Sequence, residues 1–310
     1  MPYVPSGQQH RLVAADKELV AVEIGGGIRS YSRDGRDVVD GYRRSEICSG
    51  GRGQILAPWP NRVGDGRFNW QGRDHQLDLS EPERSNAIHG LVRWLPWELD
   101  QAVSAEASLR LSCRLTPRPG CPWPLRMAVT YTLGEDGLEV TTWAENEGGA
   151  GACPFGLGWH PYVAAFGGVV DDVDLRLPAN VAYASDDRGL PVGREAVDGG
   201  PLDFRRGRRI GSAALDVAFT DLKRGEDGRA VAEVRDGASG DVVRLWADPA
   251  FTHLMVYTGD TLSDASRRRK AVAIEPMTCA PDMLRTGDGL LTLEEGQHFQ
   301  ASWGLQTLKF

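Results

Sequence analysis

Apolar residues recur at every second position along this chain rather than every three or four, and that alternation constrains the fold more than any other feature. Leu109, Leu111, Cys113 and Leu115 alternate with Arg110, Ser112 and Arg114, and Val173, Leu175 and Leu177 alternate with Asp174 and Arg176. Successive side chains of a strand point to opposite faces, so both stretches read as half-buried strands. A hairpin is written across residues 127–146. Met127, Val129, Tyr131 and Leu133 share one face, Gly134-Glu135-Asp136-Gly137 reverses the chain, and Leu138, Val140 and Thr142 share a face on the return. Helical periodicity is scarce, and 38 glycines and 18 prolines punctuate the sequence at short intervals. The expectation is an all-β fold, a large antiparallel β-sandwich with few short helices. No linker or shift in composition divides the chain, so residues 1–310 read as a single domain.

The bulk properties exclude several classes. A formal net charge of −8 argues against nucleic acid and anionic membrane as partners, because both require a basic footprint. No stretch approaches the roughly 18 apolar residues of a membrane span, and the first 27 residues lack a signal-peptide pattern. Five cysteines, an odd number with no C-x-x-C pair, oppose a disulfide framework or zinc ribbon and suggest free thiols in a reducing compartment. A cytoplasmic protein is expected. The six histidines show neither an i, i+4 pair nor a His-Glu-x-x-His arrangement, so no metal is expected. No Gly-x-Ser-x-Gly elbow is present. Gly25-Gly26-Gly27 and Gly50-Gly51 match no phosphate loop. Arg267-Arg268-Arg269-Lys270 reads as a solvated hairpin tip.

Two segments carry polar groups in a pattern suited to chemistry. In Ala271-Val272-Ala273-Ile274-Glu275-Pro276, strand alternation puts Glu275 on the face of Ala271 and Ala273, where small neighbours leave room beside a carboxylate. Pro276 marks the strand end. In Gly156-Leu157-Gly158-Trp159-His160-Pro161, His160 shares its face with two glycines, which would leave space in front of the imidazole. The residue before proline is held extended, which directs the ring, and an imidazole exchanges protons near neutral pH. His89 and Arg62 lie in turn-like segments. Arg62 offers five fixed donors suited to sugar oxygens, or to a loop-bracing salt bridge. Trp59 and Trp159 offer flat faces for a pyranose, or for core packing. Asp216, in an otherwise apolar run, needs a partner, whether structural or a ligand.

Together these segments resemble the aldose 1-epimerase (galactose mutarotase) family. The resemblance rests on Pro60-Asn61-Arg62 with Gly66-Arg67-Phe68, Asn86-x-x-His89-Gly90, Gly158-Trp159-His160-Pro161-Tyr162, Leu215-Asp216, Tyr257-Thr258-Gly259, and Glu275-Pro276 with Pro281-Asp282. They stand in the family's order and span most of the chain. The resemblance implies the galactose mutarotase-like supersandwich. It implies Glu275 as general base, His160 as general acid, and Arg62, His89, Asp216 and Asn61 around the sugar. It implies interconversion of α and β anomers of a free aldose without a cofactor, the monosaccharide being the partner. A homodimer is left open.

The sequence departs from the galactose-type pattern at two places. Met255 stands where a glutamine tends to precede Tyr-Thr-Gly, and His89-Gly90 continues into Leu91. These departures put galactose in doubt and point to a bacterial branch of loosely assigned sugars, which includes relatives acting on sulfonated glucose. The expected mechanism sets Glu275, ionised, and His160, protonated, on opposite sides of a pocket. Rival readings are a glycoside hydrolase or lyase using Asp216 and Glu275, and a non-catalytic carbohydrate-binding module. An epimerase for hexose 6-phosphates could use Arg205, Arg206, Arg208 and Arg209.

Overall fold

Two antiparallel sheets face each other because each presents one apolar face and must bury it. The structure, a computed structural model, describes residues 3–100 and 107–308. Nine strands form the first sheet. Its centre is the hairpin of Leu125–Leu133 and Gly137–Asn146, flanked by Ser108–Leu115 on one side and His298–Leu308 on the other. Val242–Ala247, Ala230–Asp236 and Val173–Arg176 continue it. The hairpin registers Leu125 with Asn146 through to Leu133 with Leu138. Gly137 lies where the neighbouring strand comes close: a Cβ there would sit 2.0 Å from the Leu305 carbonyl oxygen.

The second sheet orders Pro191–Ala196, Ala179–Ser185, Asp216–Leu222, His253–Tyr257 and Ala271–Met277. Gly158–Trp159 and Tyr162–Ala164 pair with the far edge of Ala271–Met277. A four-stranded sheet from residues 9–37 lies alongside. Among the described residues the only α-helix is the single turn Met283–Thr286.

The alternation read in the sequence explains the core. Leu109, Leu111, Leu115, Met127, Val129, Tyr131, Leu138 and Val140 are all buried in one hydrophobic cluster with Val272, Ile274, Leu254 and Val256 of the other sheet. Trp159 crosses the interface. Its ring packs 5.4 Å from Trp303 and 6.1 Å from Tyr131, and its Nε1–H donates to Thr142 Oγ1 at 2.9 Å. Trp159 and Trp59 are therefore core residues and not platforms for a sugar.

Two basic segments are resolved by the same architecture. The run at residues 267–270 is a solvated tip only in part: Arg268 and Lys270 are exposed, while Arg267 and Arg269 are half-buried and paired. Arg267 donates to the Gly41 carbonyl at 2.7 Å and to Glu46 at 3.0 Å. Arg269 donates to Asp171 and Asp260 and to the carbonyls of Gly211 and Ala213. Turns leave backbone acceptors unsatisfied, and a guanidinium supplies several donors at once. Arg205 is held by Asp198 and Asp203, and together with Arg206 it borders a groove of about 800 Å³ that also includes Lys223. Lys223 follows the strand Asp216–Leu222, so that groove lies about 20 Å along the strand from Asp216. All five cysteines are free thiols. Among the described residues no helix is long and apolar enough to cross a membrane.

Trp303 joins the hairpin sheet to Trp159 and is fully buried. Trp303→Ala should cost about 3–5 kcal/mol, read as a lowered urea midpoint with an unchanged slope; a loss under about 1 kcal/mol would show that this contact does not anchor the two sheets.

Candidate active site

Every residue of the strand Ala271–Met277 is buried, because the strand serves two interiors. Val272 and Ile274 enter the sandwich core. Ala271 and Ala273 face the other way, against Tyr162 and Tyr257, and Glu275 shares that second face. The sheet's outer surface is there roofed by loops from residues 49–52, 61–62, 80–93 and 261–267. They enclose a cleft of about 330 Å³, at the lower end of the size of small-molecule sites.

All six site residues expected from the sequence line this cleft: Asn61, Arg62, His89, His160, Asp216 and Glu275. Glu275 Oε1 lies 3.3 Å from His160 Nε2. The two groups stand side by side, not across the pocket, because the His160 segment runs next to the Glu275 strand. Opposite Glu275 in register is Met255, whose thioether offers no donor. Glu275 Oε2 and His160 Nδ1 are buried without a partner.

Burial decides the charges of the pair. Desolvation, then repulsion from Asp216, pushes the Glu275 carboxyl well above the usual carboxylate range, only partly offset by Arg62. Desolvation dominates at His160 too; the residue's own backbone opposes it in part, Arg52 and Arg93 add like-charge repulsion, and the net effect lowers it to about 3. Burial therefore favours a carboxylic acid beside a neutral imidazole, the reverse of the ionised glutamate and protonated histidine expected from sequence. Both charge states hold the same number of protons. They differ by one transfer along the 3.3 Å contact.

The glycines beside His160 do something other than open space. A Cβ on Gly158 would strike Pro60 at 2.7 Å, and one on Gly156 would strike Cys279 Sγ at 2.7 Å. They admit the Pro60 segment against the strand. Space before the imidazole depends instead on Gly51, at φ +75°, where a Cβ would lie 2.5 Å from His160 Cδ2.

Asn61 and His89 form a reciprocal brace. Both have positive φ, 56° and 63°. His89 N–H donates to the Asn61 carbonyl at 2.9 Å, and Asn61 N–H donates to His89 Nδ1 at 3.3 Å. Nδ1 is thus an acceptor, which leaves the proton on Nε2. Burial holds His89 well below its usual value, with His160, Arg93 and Arg62 reinforcing the effect, so it stays neutral. The Asn61 side chain turns back to accept from Arg62 N–H at 2.9 Å. Arg62 forms a bidentate pair with Glu81 at 2.9 and 3.0 Å, and its third nitrogen stands 3.9 Å from Asp216. Asp282 accepts from Gly64 N–H and donates its own N–H to the Arg62 carbonyl, fixing that loop from the distant end of the chain.

The cleft also holds residues that the sequence reading missed. Arg52 is almost fully buried. It donates to Asp40 at 3.0 Å and to the Ser49 carbonyl at 3.0 Å, and it lies over the Tyr162 ring at 4.5 Å. Arg93 lines the cleft with no carboxylate partner among the described residues; its guanidinium sits 5.5 Å from the Trp94 ring. Desolvation lowers its pKa, as expected of a half-buried cation lacking a counter-charge. No local pattern marks either arginine, since their roles depend on loops brought together in space. Among the described residues no group of three or more His, Cys, Asp and Glu is placed to hold a metal.

Gly51→Ala should leave the sheets intact while displacing the His160 ring, at about 1–3 kcal/mol for a non-glycine residue in this backbone region. Imidazole resonances that stay unshifted in this variant would show that Gly51 does not hold the ring.

Comparison with known proteins places the chain among similar sequences and folds. The chain is 32% identical over 295 residues to the uncharacterised protein YihR of Escherichia coli (strain K12), covering 94% of this chain and 91% of that one. It is 26% identical over 244 residues to a galactose mutarotase of Rattus norvegicus, covering 72% of this chain and 66% of that protein. Its fold superimposes with a TM-score of 0.85 on the GalM/aldose epimerase homologue from C. elegans, at 17% identity and covering 97% and 99% of the two chains. Residues 11–306 match the family model for aldose 1-epimerase, and the chain belongs to that family.

Proposed function

We propose that this protein is an aldose 1-epimerase that interconverts the anomers of a free monosaccharide, with Glu275 as base and His160 as acid. The observation that carries the reading is the buried Glu275–His160 contact at 3.3 Å, in a cleft where each group keeps one polar atom unpartnered. A bound hemiacetal supplies a partner for Glu275 Oε2 through its anomeric O1–H, and its ring oxygen meets His160 Nε2–H beside Glu275 Oε1.

One proton transfer from Glu275 to His160 Nε2 across the 3.3 Å contact gives carboxylate and imidazolium; in the ring-opening step Glu275 then takes the proton from O1, the C1–O5 bond breaks, and His160 Nε2–H protonates O5. C1 becomes an aldehyde and rotates about C1–C2. Closure on the other face returns the O5 proton to His160 and the Glu275 proton to O1. No atom is gained or lost, and the pair ends as it began. Side-by-side placement suits this chemistry, because O1 and O5 are bonded to the same carbon and need neighbouring proton partners. His89 Nε2–H, Arg62 and Asp216 are assigned to sugar hydroxyls, and Asn61 to holding His89 and Arg62. The five free thiols support the reducing, cytoplasmic setting expected from the sequence.

Arg93 refines the substrate. A half-buried guanidinium lining a cleft without a counter-ion is partly desolvated, and an anion is the group that relieves it. Together with Met255 beside Glu275, this favours an aldose bearing a carboxylate, phosphate or sulfonate over unsubstituted galactose. The arginines at 205–209 are too far along the sheet for that task.

Polarimetry on freshly dissolved α-glucose, α-galactose and anionic aldoses tests both points. Glu275→Gln and His160→Asn should each lose about 10²–10⁴-fold in rate; wild-type-like rates in either would sink the assignment. Release of reducing ends from oligosaccharides would favour a hydrolase instead. Arg93→Gln should raise KM for an anionic aldose more than for a neutral one, and equal effects on both would remove the anion reading.

The pH dependence follows from the single shared proton. Activity falls as pH drops through the lowered His160 value, where both groups carry protons. It falls again as pH rises through the raised Glu275 value, where the pair has none. The acid limb of kcat/KM should therefore lie below the ordinary imidazole value of 6.5; an acid limb at or above that value would contradict the arrangement.

A further inference from the structure

We propose that Arg52 is a positioning residue for His160, acting through the ring of Tyr162. The kinetic part of this inference rests on the epimerase reading; the structural part does not. Tyr162 stacks on His160 with centroids 4.9 Å apart and planes 15° from parallel. Its ring also receives the Arg52 guanidinium at 4.5 Å from the centroid. Arg52, Tyr162 and His160 thus form a contiguous column of planar groups along the cleft wall that ends at the reacting pair.

The column is pinned at each member. Arg52 is tied to Asp40 and to the Ser49 carbonyl. The Tyr162 hydroxyl donates to the Gly50 carbonyl at 2.9 Å. The loop between, Gly50-Gly51, runs against it so closely that a Cβ on Gly50 would sit 3.1 Å from Arg52 Nη1 and 3.2 Å from the Tyr162 hydroxyl. A Cβ on Gly51 would meet the imidazole itself. This double glycine, which fits no phosphate loop, finds its purpose here: it lets backbone serve as the column's outer wall. His89 closes the other side, edge-on to His160 at 5.4 Å.

Two effects on His160 follow. A planar stack fixes the plane of the imidazole, and so the aim of Nε2 toward Glu275. A cation one ring away also opposes imidazolium formation. The charged and titratable groups facing His160 are Arg52 and Arg93, which disfavour its protonation, Glu275, which favours it, and the neutral His89 and Tyr162. Arg62 and Asp216 act on Glu275. Arg52 Nη2 has no partner in its buried position, so its charge is not fully spent on Asp40.

The test pairs an NMR titration of the His160 ring with mutarotation kinetics on the sugar the wild type turns over. Arg52→Met should raise the His160 pKa and cut kcat by ~10- to 100-fold, with KM changed far less. Arg52→Lys keeps the charge without the planar contact, so the titration should stay near wild type while kcat falls. Tyr162→Leu should lose more kcat than Tyr162→Phe, which keeps the ring. A folded Arg52→Met or Tyr162→Leu protein with wild-type titration and wild-type kcat would overturn the proposal. If Arg52→Met does not fold, Arg52→Lys and the two Tyr162 variants decide. If the wild type epimerises no aldose, the functional reading fails, while the titration still decides whether Arg52 reaches His160.

Discussion

Two ionisable groups withdrawn from water against each other set the terms for this protein. Glu275 and His160 are each almost fully buried, and at that depth isolated charges are expensive. What lowers the cost is that one proton serves both. Their burial disfavours lasting charge on either group, and their 3.3 Å contact makes a proton transfer between them short. Everything around the pair serves that condition: small residues on the strand, a methionine in register where a donor would commit the carboxylate, and braces that keep neighbouring polar groups neutral or paired.

The sandwich makes such a wall affordable in structural terms. A strand presents alternate residues to opposite faces, so Ala271–Met277 can lock Val272 and Ile274 into the core while Glu275 lines the cleft. The same holds along the His160 segment, where Trp159 reaches the far sheet through Trp303 and Thr142. Any shift of register by one residue would exchange core and site. The packing that stabilises the fold is thus also what aims the chemistry.

Much of this was legible in the sequence. Alternation identified the hairpin and separated the face of Ala271, Ala273 and Glu275 from that of Val272 and Ile274, since period-two patterning is a local signal. The facing of Glu275 followed from the same rule. What the sequence hid depends on distance in space. The glycines near His160 read as room for a ligand, yet they admit Pro60; the residue that clears the imidazole is Gly51, more than a hundred positions away. Trp59 and Trp159 have the chemistry of sugar platforms but fill the interior. Arg52 and Arg93 carry no local pattern at all. Nor could the side-by-side placement of Glu275 and His160 be read, because only strand pairing brings their segments together.

Asp282 clasps the Arg62 loop across more than two hundred residues of chain. Contacts of such long sequence separation carry a loop-closure entropy cost. The complete cleft needs segments from residue 49 to residue 282 in place together, so a chain lacking the late segments lacks the cleft. A ligand of the cleft recognises only the finished protein, and its binding selects against every unfinished form.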